Sequence, residues 1–251
     1  MTDSSRAGQF LDLFTEIEQH LRTVLGRAGH EPFAGLASAY AERARLPRSV
    51  LRDLGTFADL RNVISHQRYY AGRPIADPAP GVIEHIQQIR DLLLRPPTVL
   101  TALPGRPVVS VRAEQPIRAV LHLVRTLDYS QFPVYADDGW AGLITTNAIA
   151  RWFAQQMDDD EVTTGEETVA AVLTCAEDLD AALHVPRSTT AAEAIDLLGR
   201  PLRGGSRPSA LVVTENGKAA ESPLAVVVDE DLSVLHRALD VPAAPARPGR
   251  R

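Results

Sequence analysis

Arg61, Asn62 and His66 lie close together in the stretch DLRNVISHQRYY, residues 59–70. A histidine titrates near neutrality and so can take or give a proton, while an arginine brings a fixed positive charge and a planar fork of donors. On a helix of about 3.6 residues per turn, Phe57, Leu60 and Ile64 share one face. Asp59, Asn62, His66 and Tyr69 or Tyr70 share the face roughly opposite. Arg61 flanks this polar stripe, and its long side chain reaches the same surface. The stripe suits proton transfer beside a bound anion. It equally suits a polar seam between two copies, in which the three side chains make structural hydrogen bonds. Tyr69 and Tyr70 either stack on bases or pack near the helix end.

The elements that carry these residues can be read from periodicity. Phe10, Phe14, Ile17, Leu21 and Val24 recur at three or four, which predicts an amphipathic helix from Ser5 to about Leu25 capped by a serine. Further helices are expected over about 32–45, 49–70 and 82–94, the last with Val82, Ile86, Ile89 and Leu93 inward. The prolines of GRPIADPAP separate the third from the fourth, and Arg95-Pro96-Pro97 ends the set. A helical bundle over 1–96 follows. Beyond Pro97, short β-branched runs alternate with short helical patterns, as in an α/β domain. PIRAVLHLV at Pro116 is similar to TAAEAIDLL at Thr190. FPVYADDGWAGLITTNAI is similar to SALVVTENGKAAESPLAVVVDEDL, with an insertion around RPLRGGSRP. Each copy reads helix, strand, tight turn, strand, helix, with units at about 97–157 and 168–240. The tail 241–251 is too poor in apolar residues to pack and is expected to be disordered.

Composition narrows the chemistry. The 251 residues carry a net charge of −6, split as +1 up to Pro96 and −7 beyond it, so overall charge points to neither DNA nor RNA. The single cysteine, Cys175, excludes an internal disulfide and is expected to be a small buried apolar residue. No apolar run approaches the roughly 20 residues of a membrane span, and the expected compartment is a reducing cytoplasm. The sequence lacks a phosphate-binding glycine loop, a helical His-Glu-x-x-His and a nucleophile elbow. Asp158–Glu161, an acidic run between the repeats, reads as a solvated linker, and no metal site is expected.

Arg61-Asn62-x-x-x-His66 resembles the Arg, four to six residues, His motif of the HEPN family. Members are small helical bundles, many of them metal-independent ribonucleases active as dimers. The resemblance implies that Arg61, Asn62 and His66 from two chains form one cleft. Two histidines would then supply acid and base, and two arginines would stabilise the charge on the phosphate. Some members carry a modifiable tyrosine two residues after the histidine. Here that position is Arg68.

The repeat resembles a tandem pair of cystathionine β-synthase (CBS) domains over roughly Thr98–Leu239. Such pairs often bind adenosine nucleotides in two clefts, and they dimerise readily. In the family a glycine, two apolar residues, a Ser or Thr and, three residues later, an Asp contact ribose and phosphate. In the first copy the pattern falls on Gly142, Leu143, Ile144, Thr145 and Ala148. In the second it falls on Ala225, Val226, Val227, Val228 and Asp231. The first copy keeps the hydroxyl and the second keeps the carboxylate. The resemblance thus implies Thr145 and Asp231 as ligand contacts, supported by Gly142, Val134 and Val228. Helix capping by Thr145 and a first-turn position for Asp231 explain the same residues without a ligand.

The combined expectation is a multidomain α and α/β protein, with a four-helix bundle followed by two pseudo-symmetric CBS-like units. It is a cytoplasmic homodimer that takes ATP, ADP or AMP as a regulatory ligand and needs no cofactor for chemistry. Adenine nucleotide would control a metal-independent ribonuclease site acting on RNA, with no DNA or membrane partner. The alternative is a non-catalytic sensor or scaffold in which the bundle only dimerises.

Overall fold

A computed structural model describes residues 5–27, 29, 31–66, 76–103, 105, 107–158, 166–202 and 204–241. The chain divides into two compact units, Met1–Pro97 with Arg237–Arg251, and Thr98–His236.

The first unit is built from helices α1 (Arg6–Leu25), α2 (Phe33–Arg43), α3 (Arg48–His66) and α4 (Pro80–Leu94). Ser5 caps α1 by accepting the Gly8 N–H, and Gly26 ends it in the left-handed region at φ 62°, where glycine carries no Cβ penalty. Pro80 opens α4, where its missing N–H costs nothing. The helices bury most of the positions that the spacing marks, with Phe10, Ile17, Leu21, Leu54 and Ile86 fully enclosed, while Val24, Leu60 and Val82 are only partly buried and Ile83 takes the inward place beside Val82. Phe10 meets Phe57 edge to face at 5.9 Å, which joins α1 to α3. Polar pairs join the rest. The Tyr40 hydroxyl donates to the Leu93 carbonyl at 2.9 Å, and the His85 ring lies 3.0 Å from Asp53 by its Nε2. The third helix is expected to run to Tyr70. The described helix ends at His66, and Arg68, Tyr69 and Tyr70 lie outside the described residues, as do Asp159–Glu161 and the tail 242–251.

The second unit contains two three-stranded sheets. In the first, β1 (Val111–Arg112) runs parallel to β2 (Gln131–Ala136), which pairs antiparallel with β3 (Gly139–Thr145). In the second, β4 (Ala182–Pro186) runs parallel to β5 (Ala210–Thr214), which pairs antiparallel with β6 (Ala225–Val227). Short helices α5 (Val99–Ala102) and α8 (Val169–Leu173) precede the sheets. Helices α6 (Ile117–Leu127) and α7 (Thr146–Asp158) flank the first hairpin, and α9 (Ala191–Gly199) and α10 (Leu232–Leu239) flank the second. The short helices are exchanged. The Val99 N–H at the start of α5 donates to the Thr189 carbonyl just before α9, while the Val169 N–H of α8 donates to the Gln115 carbonyl just before α6, both at 2.9 Å.

The periodicity reading finds the hairpins and long helices but not β1, β4, α5 and α8. Two to five residues are too few to show a period, and backbone pairing across the unit, not local propensity, holds them. Cys175 also departs from its expected burial. It is partly exposed, and its Sγ donates to Gln155 Oε1 at 3.3 Å.

One half-buried contact in this unit is expected to make it sensitive to acid. The His184 ring on β4 meets Trp140 of β3 edge-on at 4.5 Å, and its Nε2 is buried without a hydrogen-bond partner. Burial pushes the His184 pKa below its ordinary 6.5. The unfolded chain therefore takes up the proton first, and stability is lost as the pH falls through 6.5 toward the lower folded value. Urea midpoints followed by tryptophan fluorescence should fall between pH 7.5 and 5.5, and His184→Gln should flatten that fall. Both tryptophans, Trp140 and Trp152, lie in this unit and report on it alone.

Candidate functional site

The second unit holds a cleft of about 510 Å3, within the range of small-molecule sites. Three segments wall it. The first is α5 with the chain that follows, contributing Val99, Leu100, Leu103, Val108 and Val109. The second is the turn from α6 into β2, Asp128 to Gln131. The third is β6 and its continuation, with Ala225, Val226, Val228 and Glu230. Asp128 ends α6 in the left-handed region at φ 57°, and its N–H donates to the Val124 carbonyl at 3.1 Å. That turn is what brings Tyr129, Ser130 and Gln131 to the rim. The result is an apolar slot with a polar edge, suited to a flat ring and a sugar.

The positions implied for the second copy lie on this wall. Val226 and Val228 line the cleft, whereas Val227 between them is fully buried. Asp231 is 1% exposed and is not among the lining residues; its carboxylate accepts the Val228 N–H at 3.1 Å and so closes the 3-10 turn Asp229–Asp231. The acidic groups at the cleft are its neighbour Glu230 and Asp128.

The first copy's positions are used differently. Gly142 has φ 153°, and a Cβ there would come within 3.3 Å of the Leu173 side chain. Val134 pairs with Gly142 across the hairpin and is fully buried in the core around Phe132 and Ile144. Thr145 ends β3 at 4% exposure; its hydroxyl accepts the Ala148 N–H at 3.0 Å, capping α7, and donates to Asp180 Oδ1. Asp180 is itself 4% exposed. Its other oxygen accepts from the Arg151 guanidinium and, at 2.9 Å, from the Glu177 N–H. Arg151 Nε completes the network by donating to the Cys175 carbonyl at 3.0 Å. Thr145, Asp180 and Arg151 thus satisfy one another.

Asp128, Arg151, Asp180 and Glu230 are the residues that motif reading misses. A signal for Asp180 is present. Glu177-Asp178-Leu179-Asp180 and Val228-Asp229-Glu230-Asp231 both form a 3-10 turn whose last Asp accepts the N–H three residues back. The repeated acidic turn marks both places, although nothing in the sequence tells which one is filled.

In the first unit, Asn62 is exposed and Arg61 is partly so, on the face of α3 away from buried Phe57 and Ile64. Arg61 Nη1 donates to Asn62 Oδ1 at 3.3 Å, and among the described residues it has no carboxylate partner. His66 is the last residue of α3, and its side chain lies outside the described residues. Among the described residues no cluster of three or more His, Cys, Asp or Glu is placed to hold a metal ion. Nor is any helix among them long and apolar enough to cross a membrane.

Residues 100–155, from α5 through β3 and most of α7, match the CBS domain family, so this chain contains a CBS domain. No protein with a curated description matches the chain. Several solved structures are similar to it. The CBS domain of a CBS domain containing membrane protein from Sphaerobacter thermophilus is 20% identical, over 56% of this chain and 88% of that one, with a TM-score of 0.40. CBSX2 in complex with AMP is 18% identical over 57% and 95%, with a TM-score of 0.38. The CBS domain of the bacterial CNNM/CorC family Mg2+ transporter in complex with ATP is 19% identical over 64% and 97%, with a TM-score of 0.39.

Proposed function

We propose that this protein is a regulator whose second unit senses an adenine nucleoside or nucleotide, AMP, ADP or ATP, at one site per chain. The observation that carries this reading is the contrast between two related places. Beside the second copy's motif lies an open cleft of about 510 Å3. At the first copy's motif Thr145, Asp180 and Arg151 bond to one another instead. We read residues 97–157 and 168–240 as a pseudo-symmetric CBS-like pair, a reading supported by the reciprocal docking of α5 and α8. In that frame Thr145 and Asp180 serve the fold. Asp231 holds the turn from beneath, and Glu230 offers the carboxylate that accepts from ribose hydroxyls. Calorimetric titration with AMP tests the reading. One equivalent should bind the wild type, and filling the cleft with Val226→Trp should remove binding. Two equivalents of AMP, or no binding of AMP and adenosine alike, would sink it.

A second reading concerns residues 1–96, taken as a four-helix bundle of HEPN type. The observation favouring it is Arg61, a guanidinium beside Asn62 on an outward face, with no carboxylate partner among the described residues. Such a group is free to meet a phosphate. In a homodimer, two copies of Arg61, Asn62 and His66 would cleave RNA through its 2′-hydroxyl, each His66 serving one proton transfer. The cleft ligand would then control cleavage by preferring one dimer arrangement, since equal affinity for both shifts nothing. With purified protein in excess chelator, His66→Ala should slow cleavage of a mixed RNA pool at least about tenfold. Equal rates for wild type and variant, or no cleavage by either, leave the non-catalytic sensor.

A further inference from the structure

We infer that the open cleft selects by charge, taking adenine nucleosides with little or no negative charge in preference to nucleoside polyphosphates. The inference rests on the cleft being the adenine site, and it narrows the class of ligand. Two carboxylates, Asp128 and Glu230, line the cleft from two of its three walls, one at the α6–β2 turn and the other beyond β6. Its remaining polar side chains, Tyr129, Ser130 and Gln131, supply no cationic group. Among the described lining residues there is no Lys, Arg or His.

Among the described residues neither Asp128 nor Glu230 makes an ion pair. Arg106 stands between lining residues Gly105 and Pro107 in the sequence and lies outside the described residues. Counted in full, it would still leave the carboxylates in excess.

The chemistry follows from this inventory. An ionised carboxylate only accepts hydrogen bonds. The groups of adenosine that can donate to it are the ribose hydroxyls and the exocyclic amine. A phosphate is acceptor-rich and anionic, so each one added brings repulsion with no donor gained. Sites built for phosphates do the reverse, aiming N–H groups, Lys or Arg at the ligand. The backbone keeps the acidic groups in place. Asp128 is held by its left-handed cap, and Glu230 by the 3-10 turn that Asp231 closes. Charge selection is therefore built into the two turns that frame the cleft.

The test is a calorimetric series with adenosine, AMP and ATP at one low ionic strength, first with EDTA and then with Mg2+. The Kd is expected to rise along the series, with ATP at least about tenfold weaker than adenosine, and added salt should narrow the gap. Glu230→Gln and Asp128→Asn should each bring ATP several-fold closer to adenosine. ATP binding as tightly as adenosine, with or without Mg2+, overturns the inference and leaves the adenine reading standing. An unchanged gap in both variants does the same. Absence of binding by all three overturns the adenine reading and the inference together.

Discussion

Asp180→Ala should destabilise the second unit by about 3 kcal/mol, seen as a lower urea midpoint of the tryptophan signal. The carboxylate is the hub of a buried network and is itself almost wholly enclosed, its side chain 2% exposed. Removing it leaves the Thr145 hydroxyl without its acceptor, the Glu177 N–H without its cap and the Arg151 guanidinium without its close anion. The loss is tempered at Arg151. That side chain is 31% exposed and has Glu177 at 3.8 Å as a second partner, so solvent and Glu177 absorb part of its charge. Asp180→Asn, which keeps the shape and one accepting oxygen, should cost roughly half as much. Equal midpoints for all three proteins would mean that the network is incidental, and the contrast between a filled and an open place would lose its energetic basis.

Legibility from sequence follows the length scale of the interaction. The faces of α1 to α4 repeat over 11 to 20 residues, long enough for a period to emerge, and Phe10, Ile17 and Ile86 are buried where that period puts them. The duplicated hairpins are legible because tight-turn residues punctuate two copies of one pattern. The strands β1 and β4 and the helices α5 and α8 are not, because their stability comes from partners 20 to 90 residues away. The site divides in the same way. The spacing from Gly142 to Thr145 and from Ala225 to Val228 marks two strand ends correctly. It does not tell that Asp180, 35 residues beyond Thr145, turns inward to meet it. Nor does it tell that Glu230 lines a cavity while Asp231 beside it is buried. In a short turn one residue's step reverses the direction of a side chain, and the motif alone carries no information about that phase.

That phase decides what a probe of the cleft should change. Val226 lies on β6 opposite Val212 of β5, with Val227 directed into the core, so enlarging Val226 adds volume to the cleft and leaves the core contact of its neighbour in place. An indole at this position would take up space in the cleft that Leu100 and Val109 also line. Val226→Trp should therefore weaken AMP binding by at least about a hundredfold, or roughly 2.7 kcal/mol. The urea midpoint should stay within about 1 kcal/mol of wild type, because the added surface enters an open cavity and not a packed interior. Glu230→Gln provides the chemical counterpart, removing a charge at the rim while the slot stays open. Loss of binding in the tryptophan variant with an intact fold assigns the ligand to this cleft. Unchanged binding would move the ligand elsewhere, and the wall formed by β6 would then serve only the packing of the sheet.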